Sequence, residues 1–485
     1  MALSQRPPIQ PIRSVVRLRL PDDGSIDRLK QATLQILERV GVRFDSPRAL
    51  SLLREHGARV DAESNVVRFP QQLVLEAMAL APRHFVLAAR DPSCDLDLAS
   101  GDTFCTTDGC GAQIVDFETR QVRPSTKADV ADVTRLVDAL PGLAFWWPTV
   151  AAGDHGATAQ LHELDAGFCN TVKHLQAFVQ GERHARFAVE MARTVAGGAD
   201  ALRRRPIMSD FIGTVSPLVN DRDGIEAALV FAEAGVPVCF VCMPTLGTTA
   251  PATKAGALAV GSAELVSATV LLQLAYPGTP VLHSMMQSWI DPRNGAFLSF
   301  PLDGRARWLG TELAHAWGVP SEAATCGTDA TVPGAWQAGV EEASDFSIAA
   351  MEGSELLPSI GLMSTYTVFW PEHLLLGHDI YQRARHAVMQ IDLDDDEFAL
   401  DVVQKVGPGG HYLAQGHTRA HLRASTALAI THVPASSGGG YRDPVEVARE
   451  EAERLYREYR PEPLAESMRT ELAGVLAAAD ADLRG

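Results

Sequence analysis

The feature that most constrains this chain is a regular beat between residues 102 and 390. Apolar, strand-like runs fall at 103–108 (TFCTTD), 143–150 (LAFWWPTV), 174–179 (HLQAFV) and 207–214 (IMSDFIGT). Four more follow at 237–243 (PVCFVCM), 280–287 (PVLHSMMQ), 323–329 (AATCGTD) and 355–364 (ELLPSIGLMS). Each run precedes a helical pattern: 126–140, 157–171, 182–196, 222–234, 253–275, 304–317, 334–352 and 371–390. Strands apolar on both faces, separated by amphipathic helices, pair in parallel through helical crossovers. Eight such units predict an α/β protein, a TIM (β/α)8 barrel.

A barrel predicts where its site lies before any motif is found, because active sites of this fold sit at the C-terminal strand ends. Those ends carry Thr106, Thr107 and Asp108, then Thr149, Gln176 and Gln180, then Thr214 and Ser216. Beyond them come Cys242 and Met243, His283, Ser284 and Gln287, Thr328 and Asp329, and Ser364 and Tyr366. Fixed positive charge is missing from this set, and no Gly-rich phosphate loop leads into a helix. The set suits a small neutral or cationic ligand better than a phosphate.

The flanks are simpler. Residues 1–101 read as an α+β lead-in: a helix over 25–39 stopped by Gly41, a strand at 42–44, and a helix opened by Ser46-Pro47. Residues 102–390 are the expected barrel, and 391–485 an extension with terminal helices. Within that extension GPGGHYLAQGHTRAH (407–421) packs glycines and His411, His417 and His421 into one stretch. His417 and His421 share a face if the segment is helical, which is a two-histidine metal spacing. HTRAH lacks the glutamate of a zinc protease motif, and backbone hydrogen bonding is the commoner use of such residues.

Charge excludes several partners. With 42 Lys and Arg against 60 Asp and Glu, the formal charge is −18, which disfavours nucleic acid and anionic membranes. The most apolar helix, near 265–275, is interrupted by Glu264 and Gln273 and ends at Pro277, so no membrane span is expected. Seven cysteines give no disulfide framework, and the first twenty residues hold no apolar leader. A reducing cytoplasm is the expected setting.

Three chemistries compete at the strand ends. Cys242, His283 and Cys326 could hold zinc with an open fourth position, though buried cysteine is usually a small hydrophobe. Cys239 and Cys242, three apart on one strand, face opposite sides and cannot chelate together. Cys110, between two glycines in DGCGAQ, could be a nucleophile, but no base is identifiable beside it. Asp108 or Asp329 with His283 could do acid–base work, while Asp at such places equally caps helices.

The residues then resemble a family. VGPGGHYLAQGHTRAH (406–421), FAEAGVPVCFVCMPTLGTTAPAT (231–253), FETRQVRPSTKADVADVTRLVDALP (117–141) and LHELDAGFCNTVKH (161–174) are similar to stretches of trimethylamine methyltransferases. The resemblance is to the branch without pyrrolysine, which includes glycine betaine methyltransferases, and it runs from LERVGVRF (37–44) to GHTRAHLR (416–423).

The resemblance implies a barrel that binds a methylated amine and passes one methyl group to a Co(I) corrinoid. That cob(I)alamin-type acceptor is carried by a separate small protein and is not held permanently. Aromatic faces suit a quaternary ammonium, which points to Phe104, Trp146, Trp147, Tyr366, Phe369 and Trp370. Asn170, in FCNTVKH, matches a family asparagine and is carried over as a polar contact, beside Gln176, Ser359 and Ser364.

The chain also departs from the pattern. Glu322 stands where betaine-binding members show an arginine, and Pro358 and Ser359 stand where they show a His pair. FWPEH (369–373) replaces a SYEK-like segment, and TCGTDATVP (325–333) covers the region of pyrrolysine in the other branch. These departures turn the expectation from trimethylamine and glycine betaine toward another N-methylated quaternary amine. A barrel that binds such an amine without transferring methyl stays open, as does oligomeric state.

Overall fold

A computed structural model describes residues 6–19, 24–298, 305–323, 327–426, 429–436 and 439–483. Eight short parallel strands form one sheet: β1 (Phe104–Thr107), β2 (Phe145–Trp146), β3 (His174–Ala177), β4 (Met208–Gly213), β5 (Val238–Cys242), β6 (Val281–Met285), β7 (Ser321–Glu322) and β8 (Leu356–Ile360). Their order runs β2 to β8 and then β1, so the sheet curls round until β1 lies beside β2. At that seam Ala144 N–H donates to the Cys105 carbonyl at 2.7 Å, and the Thr106 hydroxyl donates to the Phe145 carbonyl. The result is a nearly closed TIM barrel, as the alternating pattern requires.

Eight helices follow the strands: α1 (Lys127–Ala139), α2 (Ala159–Asn170), α3 (Glu182–Ala196), α4 (Arg222–Ala234), α5 (Lys254–Ala275), α6 (Arg305–Ala316), α7 (Trp336–Glu352) and α8 (Pro371–Ala387). Local chemistry sets their ends. Thr126 and Asp129 close a capping box on α1, and Asp221 caps α4 by accepting from Gly224 N–H. At the other end of α1, the buried Lys173 ammonium donates to the carbonyls of Val137, Leu140 and Leu143 at 2.7, 3.1 and 2.6 Å. A fixed cation there satisfies carbonyls the helix leaves unpaired.

The seventh strand is earlier than its apolar run. Ser321 and Glu322 pair with β6 and β8, Ala323 N–H still donates to the Leu356 carbonyl at 2.9 Å, and of the residues expected in the strand, 327–329 lie outside the sheet while 324–326 lie outside the described residues. At Gly327 the chain passes close to the end of β1: a Cβ there would lie 3.1 Å from the Leu362 carbonyl oxygen and 3.2 Å from Asp108 Oδ2, which leaves little room for a side chain.

Helix α5 is, contrary to expectation, long and apolar enough to cross a membrane, yet 89 % of that apolar window is buried inside the protein. Glu264 within it accepts from the Thr214 and Ser216 hydroxyls and Leu218 N–H at 2.6, 2.9 and 2.8 Å, tying α5 to the loop after β4.

The residues before the barrel do two jobs. Strand Val42–Phe44 pairs with Val219–Asn220 in the loop after β4, and the helices Gly24–Gln35 and Gln71–Met78 pack on α5. The hairpin Val86–Leu87 and Leu96–Asp97 places Leu87, Leu96 and Leu98 against Phe104, Phe145 and Leu356, closing the barrel floor.

Candidate active site

Which residues face the barrel interior follows from strand alternation. Phe145, Trp147, Gln176, Phe178, Ser209, Phe211, Cys239, Val241, Leu282, Ser284 and Glu322 share the inward phase, and six of these join Phe104 and Leu356 in one apolar cluster. Trp147 meets Phe211 edge-on at 4.7 Å, and Phe178 lies 6.4 Å from Phe211. Trp147 and Phe178 stand just past the ends of β2 and β3, and Phe211, within β4, packs beneath them, so the three rings wall the upper part of the barrel.

Acids complete the wall. Asp108 follows β1 directly, accepts from Gly109 N–H at 2.9 Å, and leaves Oδ2 without a hydrogen bond. Burial, with Glu342 adding a like charge, pushes its pKa up to about 7 against the pull of the Gly109 and Gly327 backbone. Glu163, from α2, accepts from Ala152 N–H at 2.9 Å, and burial raises it to about 7 as well. Deeper in the barrel the Gln176 amide donates to Glu322 Oε2 at 2.7 Å, and burial holds Glu322 near 7. Among the described residues no Lys or Arg acts on any of these three carboxyls. None of the three has a resident counter-charge, and Asp108 and Glu163 both act on Cys110, which sets those two in the same part of the mouth.

The Cys110 side chain reaches solvent, and burial of its surroundings, then Glu163 and Asp108, push its thiol up. Burial does the same to Cys239 and Cys242. Among the described residues none of these thiols is poised as a thiolate nucleophile at neutral pH.

The rim is strained. Ser364, Thr365 and Tyr366 all take left-handed backbone angles, φ 54, 57 and 64°. The Thr365 hydroxyl donates to Asp329 Oδ1 at 2.9 Å, and Ser364 N–H donates to the Ala330 carbonyl. A Cβ on Gly327 would sit 3.8 Å from the Tyr366 ring and 3.2 Å from Asp108 Oδ2, so Tyr366 and Asp108 flank the same glycine. Three consecutive non-glycine residues in this region cost about 1–2 kcal/mol each.

The structure thus gathers Asp108, Asp329, Ser364 and Tyr366 at the mouth, with Gln176 and Glu322 beneath. Other expected site residues lie elsewhere. Phe104 begins β1 and therefore packs in the floor. Trp146 has the outward phase, donating from Nε1 to Thr134 on α1 at 2.8 Å. Asn170 ends α2, where its amide donates to the Ala166 carbonyl and Arg135 donates to its oxygen. Ser359 is buried at the bulge where the β8–β1 register slips.

His283 is also outward. Its Nε2 meets the Thr269 hydroxyl on α5 at 2.8 Å, and burial lowers its pKa to about 3, so it is a neutral packing residue. Asp329 caps no helix, since Ala335 precedes α7.

The zinc arrangement does not assemble. Cys242 Sγ contacts Met285 and Gly261, whereas His283 contacts Thr269, eight residues and about 12 Å further along α5. Cys326 lies outside the described residues. Among the described residues no group of three His, Cys, Asp or Glu could hold a metal. In the extension, His417 and His421 stack at 4.0 Å on the helix Gly416–Thr426, held to the Asp396 carbonyl (3.1 Å) and Glu397 (3.8 Å).

Phe178, Phe211 and Glu163 were the residues sequence reasoning left out of the site, and Trp147 was named beside Trp146 without a choice between them. Alternation from Gln176 points to Phe178, and of two adjacent tryptophans one must face inward. Glu163, buried on an amphipathic helix, carried no such signal.

With this geometry in view, relatives can be compared. Residues 3–483 match the family described as trimethylamine methyltransferase (MTTB). The chain belongs to that family. It is 32 % identical over 459 residues to trimethylamine methyltransferase MttB of Desulfitobacterium hafniense (strain DSM 10664 / DCB-2), covering 94 % of this chain and 92 % of that one. It is 27 % identical over 480 residues to MttB of Methanosarcina barkeri (strain Fusaro / DSM 804), covering 97 % of both. It is also 28 % identical over 402 residues to the glycine betaine methyltransferase of Desulfitobacterium hafniense (strain Y51), covering 82 % of this chain and 83 % of that one. Family membership makes it an enzyme of a methyltransferase family.

Proposed function

We propose that this protein moves a methyl group from a cationic, quaternary N-methylated amine to the Co(I) corrinoid of a partner protein. The observation that carries the reading is three buried carboxyls without a counter-charge, Asp108, Glu163 and Glu322, in the barrel whose interior also holds the rings of Trp147, Phe178 and Phe211. Carboxyls and aromatic faces both attract a diffuse cation. An unactivated amine methyl needs a stronger nucleophile than a side chain supplies, and the corrinoid supplies it. The chain's own contribution is positional: the rings seat the ammonium, the carboxyls balance its charge, and the walls direct one methyl toward the open mouth.

Glu322, where a betaine-binding relative would carry arginine, supports a substrate without a carboxylate. An exposed apolar patch beside the rim supports a protein partner there: Trp336 is 83 % exposed, with Val332 at 58 % and Val340 at 43 %. The reading places the protein in the cytoplasm, consistent with six described cysteines that are all free.

The test mixes purified protein with free cob(I)alamin and tetramethylammonium, choline, carnitine, trimethylamine or glycine betaine, and follows methylcobalamin by absorbance. Cations lacking a carboxylate are expected to react. Binding of such a cation with no methylcobalamin formed, with or without the carrier protein, would reduce the chain to a binding barrel.

A further inference from the structure

Below the aromatic rings, the barrel interior holds polar atoms that its own residues leave unmet. Gln176 on β3, Ser284 on β6 and Glu322 on β7 are fully buried and share the inward phase. Ser284 lies beside Glu322 in the pairing of β6 with β7, and the Gln176 amide reaches Glu322 Oε2 at 2.7 Å. The three side chains therefore form one group. Among the described residues, Gln176 Oε1, Glu322 Oε1 and Ser284 Oγ have no hydrogen-bond partner. The Cys239 thiol stands beside Glu322 as a weak donor only. One buried polar atom without a partner is uncommon, and three in one group mark a polar subsite.

The group lies nearer the floor than the rings. Gln176 is two residues before Phe178, one inward position further back along the strand. That step is about 6–7 Å, a separation that a short hydroxyalkyl chain and its hydrogen bond span. The open atoms also select among chemical groups. Gln176 Oε1 can only accept, ionised Glu322 can only accept, and Ser284 has a hydrogen of its own to donate. A carboxylate would set its lone pairs against two acceptors. An ammonium would leave the Ser284 hydrogen without an acceptor. A hydroxyl meets both demands, donating to Gln176 or Glu322 and accepting from Ser284.

We propose that Gln176, Ser284 and Glu322 form a hydroxyl-binding subsite, and that the preferred substrate is a hydroxyalkyl trimethylammonium of the choline type. Its hydroxyl is held below, and its ammonium sits above, among Trp147, Phe178 and Phe211. The proposal rests on the reading of the barrel as a site for a quaternary amine, and narrows that reading to one class.

The test is calorimetric titration of the full chain with choline, O-methylcholine, propyltrimethylammonium and tetramethylammonium. Propyltrimethylammonium replaces the hydroxyl by a methyl group, and O-methylcholine keeps the oxygen but loses its hydrogen. Choline is expected to bind at least about 100-fold more tightly than propyltrimethylammonium, because a site built for a hydroxyl leaves its polar atoms unpaired around an analogue lacking one. O-methylcholine should lose most of the same advantage. Ser284→Ala, checked for an unchanged melting temperature, should narrow the choline preference about tenfold. The ligand series itself is read on the wild type and needs no variant to fold. Equal binding of choline and propyltrimethylammonium overturns the subsite and leaves the quaternary-amine reading standing. Failure of all four cations to bind overturns both. O-methylcholine binding as well as choline overturns the donor role, and a choline preference untouched by Ser284→Ala overturns the assignment to this group.

Discussion

The two ends of the barrel are made from the same eight strands and have opposite chemistry. At the floor, Leu87, Leu96, Leu98, Phe104 and Leu356 close the interior with apolar side chains, and no charge is left unpaired among them. At the mouth, Asp108, Glu163 and Glu322 are buried without a counter-charge under a rim held in left-handed turns. The floor is built for stability and the mouth against it. A fold that holds buried acids at a cost of several kcal/mol does so where a cation is to be received.

The comparison can be broken from either side. The largest effect belongs to the floor: Phe104→Ala should cost about 3–5 kcal/mol in urea denaturation, with cation affinity of the folded protein unchanged. A matching loss of affinity would mean that the floor shares in binding. At the mouth the pattern should invert. Asp108→Asn should weaken tetramethylammonium binding about 10- to 100-fold by calorimetry, about 1.4–2.8 kcal/mol, while leaving stability level or higher. If it destabilises the protein and spares binding, Asp108 is structural.

The pH dependence sharpens the same point. Each of the three carboxyls has a folded pKa near 7, above its unfolded value near 4. The unliganded fold therefore holds protons the unfolded chain gives up, and it loses stability as pH rises from about 4 to about 7. A bound cation favours the ionised forms. Its affinity should rise up to about tenfold per pH unit for each carboxyl that must ionise, and level off above pH 7. Calorimetry in buffers of different ionisation enthalpy should register proton release on binding at pH 6.5 and little at pH 8.5. Affinity flat across that range would remove the acids from the site.

The smallest effect concerns the rim. Ser364→Gly should raise the melting temperature by the equivalent of about 1 kcal/mol, because glycine enters the left-handed region without penalty. Whether turnover falls at the same time reports if the strained turn is needed to hold Tyr366 over the mouth.

Much of this architecture was legible in the residues. The period of strand and helix signals is a property of local side-chain sequence, so the barrel, its eight helices and the ordering of its mouth-side loops follow from the pattern alone. The stretches around residues 117–141, 161–174, 231–253 and 406–421 likewise carried the family. Phase was decided only in three dimensions. A strand shows its side chains alternately to the interior and to the helices, and one residue of slip exchanges the two sets. Trp146 and Trp147 are chemically alike, yet only Trp147 faces the barrel interior. Cys242 at the end of β5 and His283 in the middle of β6 carry metal-binding side chains, and both turn outward toward α5. Glu163 enters the site from a helix, across a distance no spacing rule spans. Local sequence specifies which elements form; which face of each meets the ligand depends on how all eight strands close together.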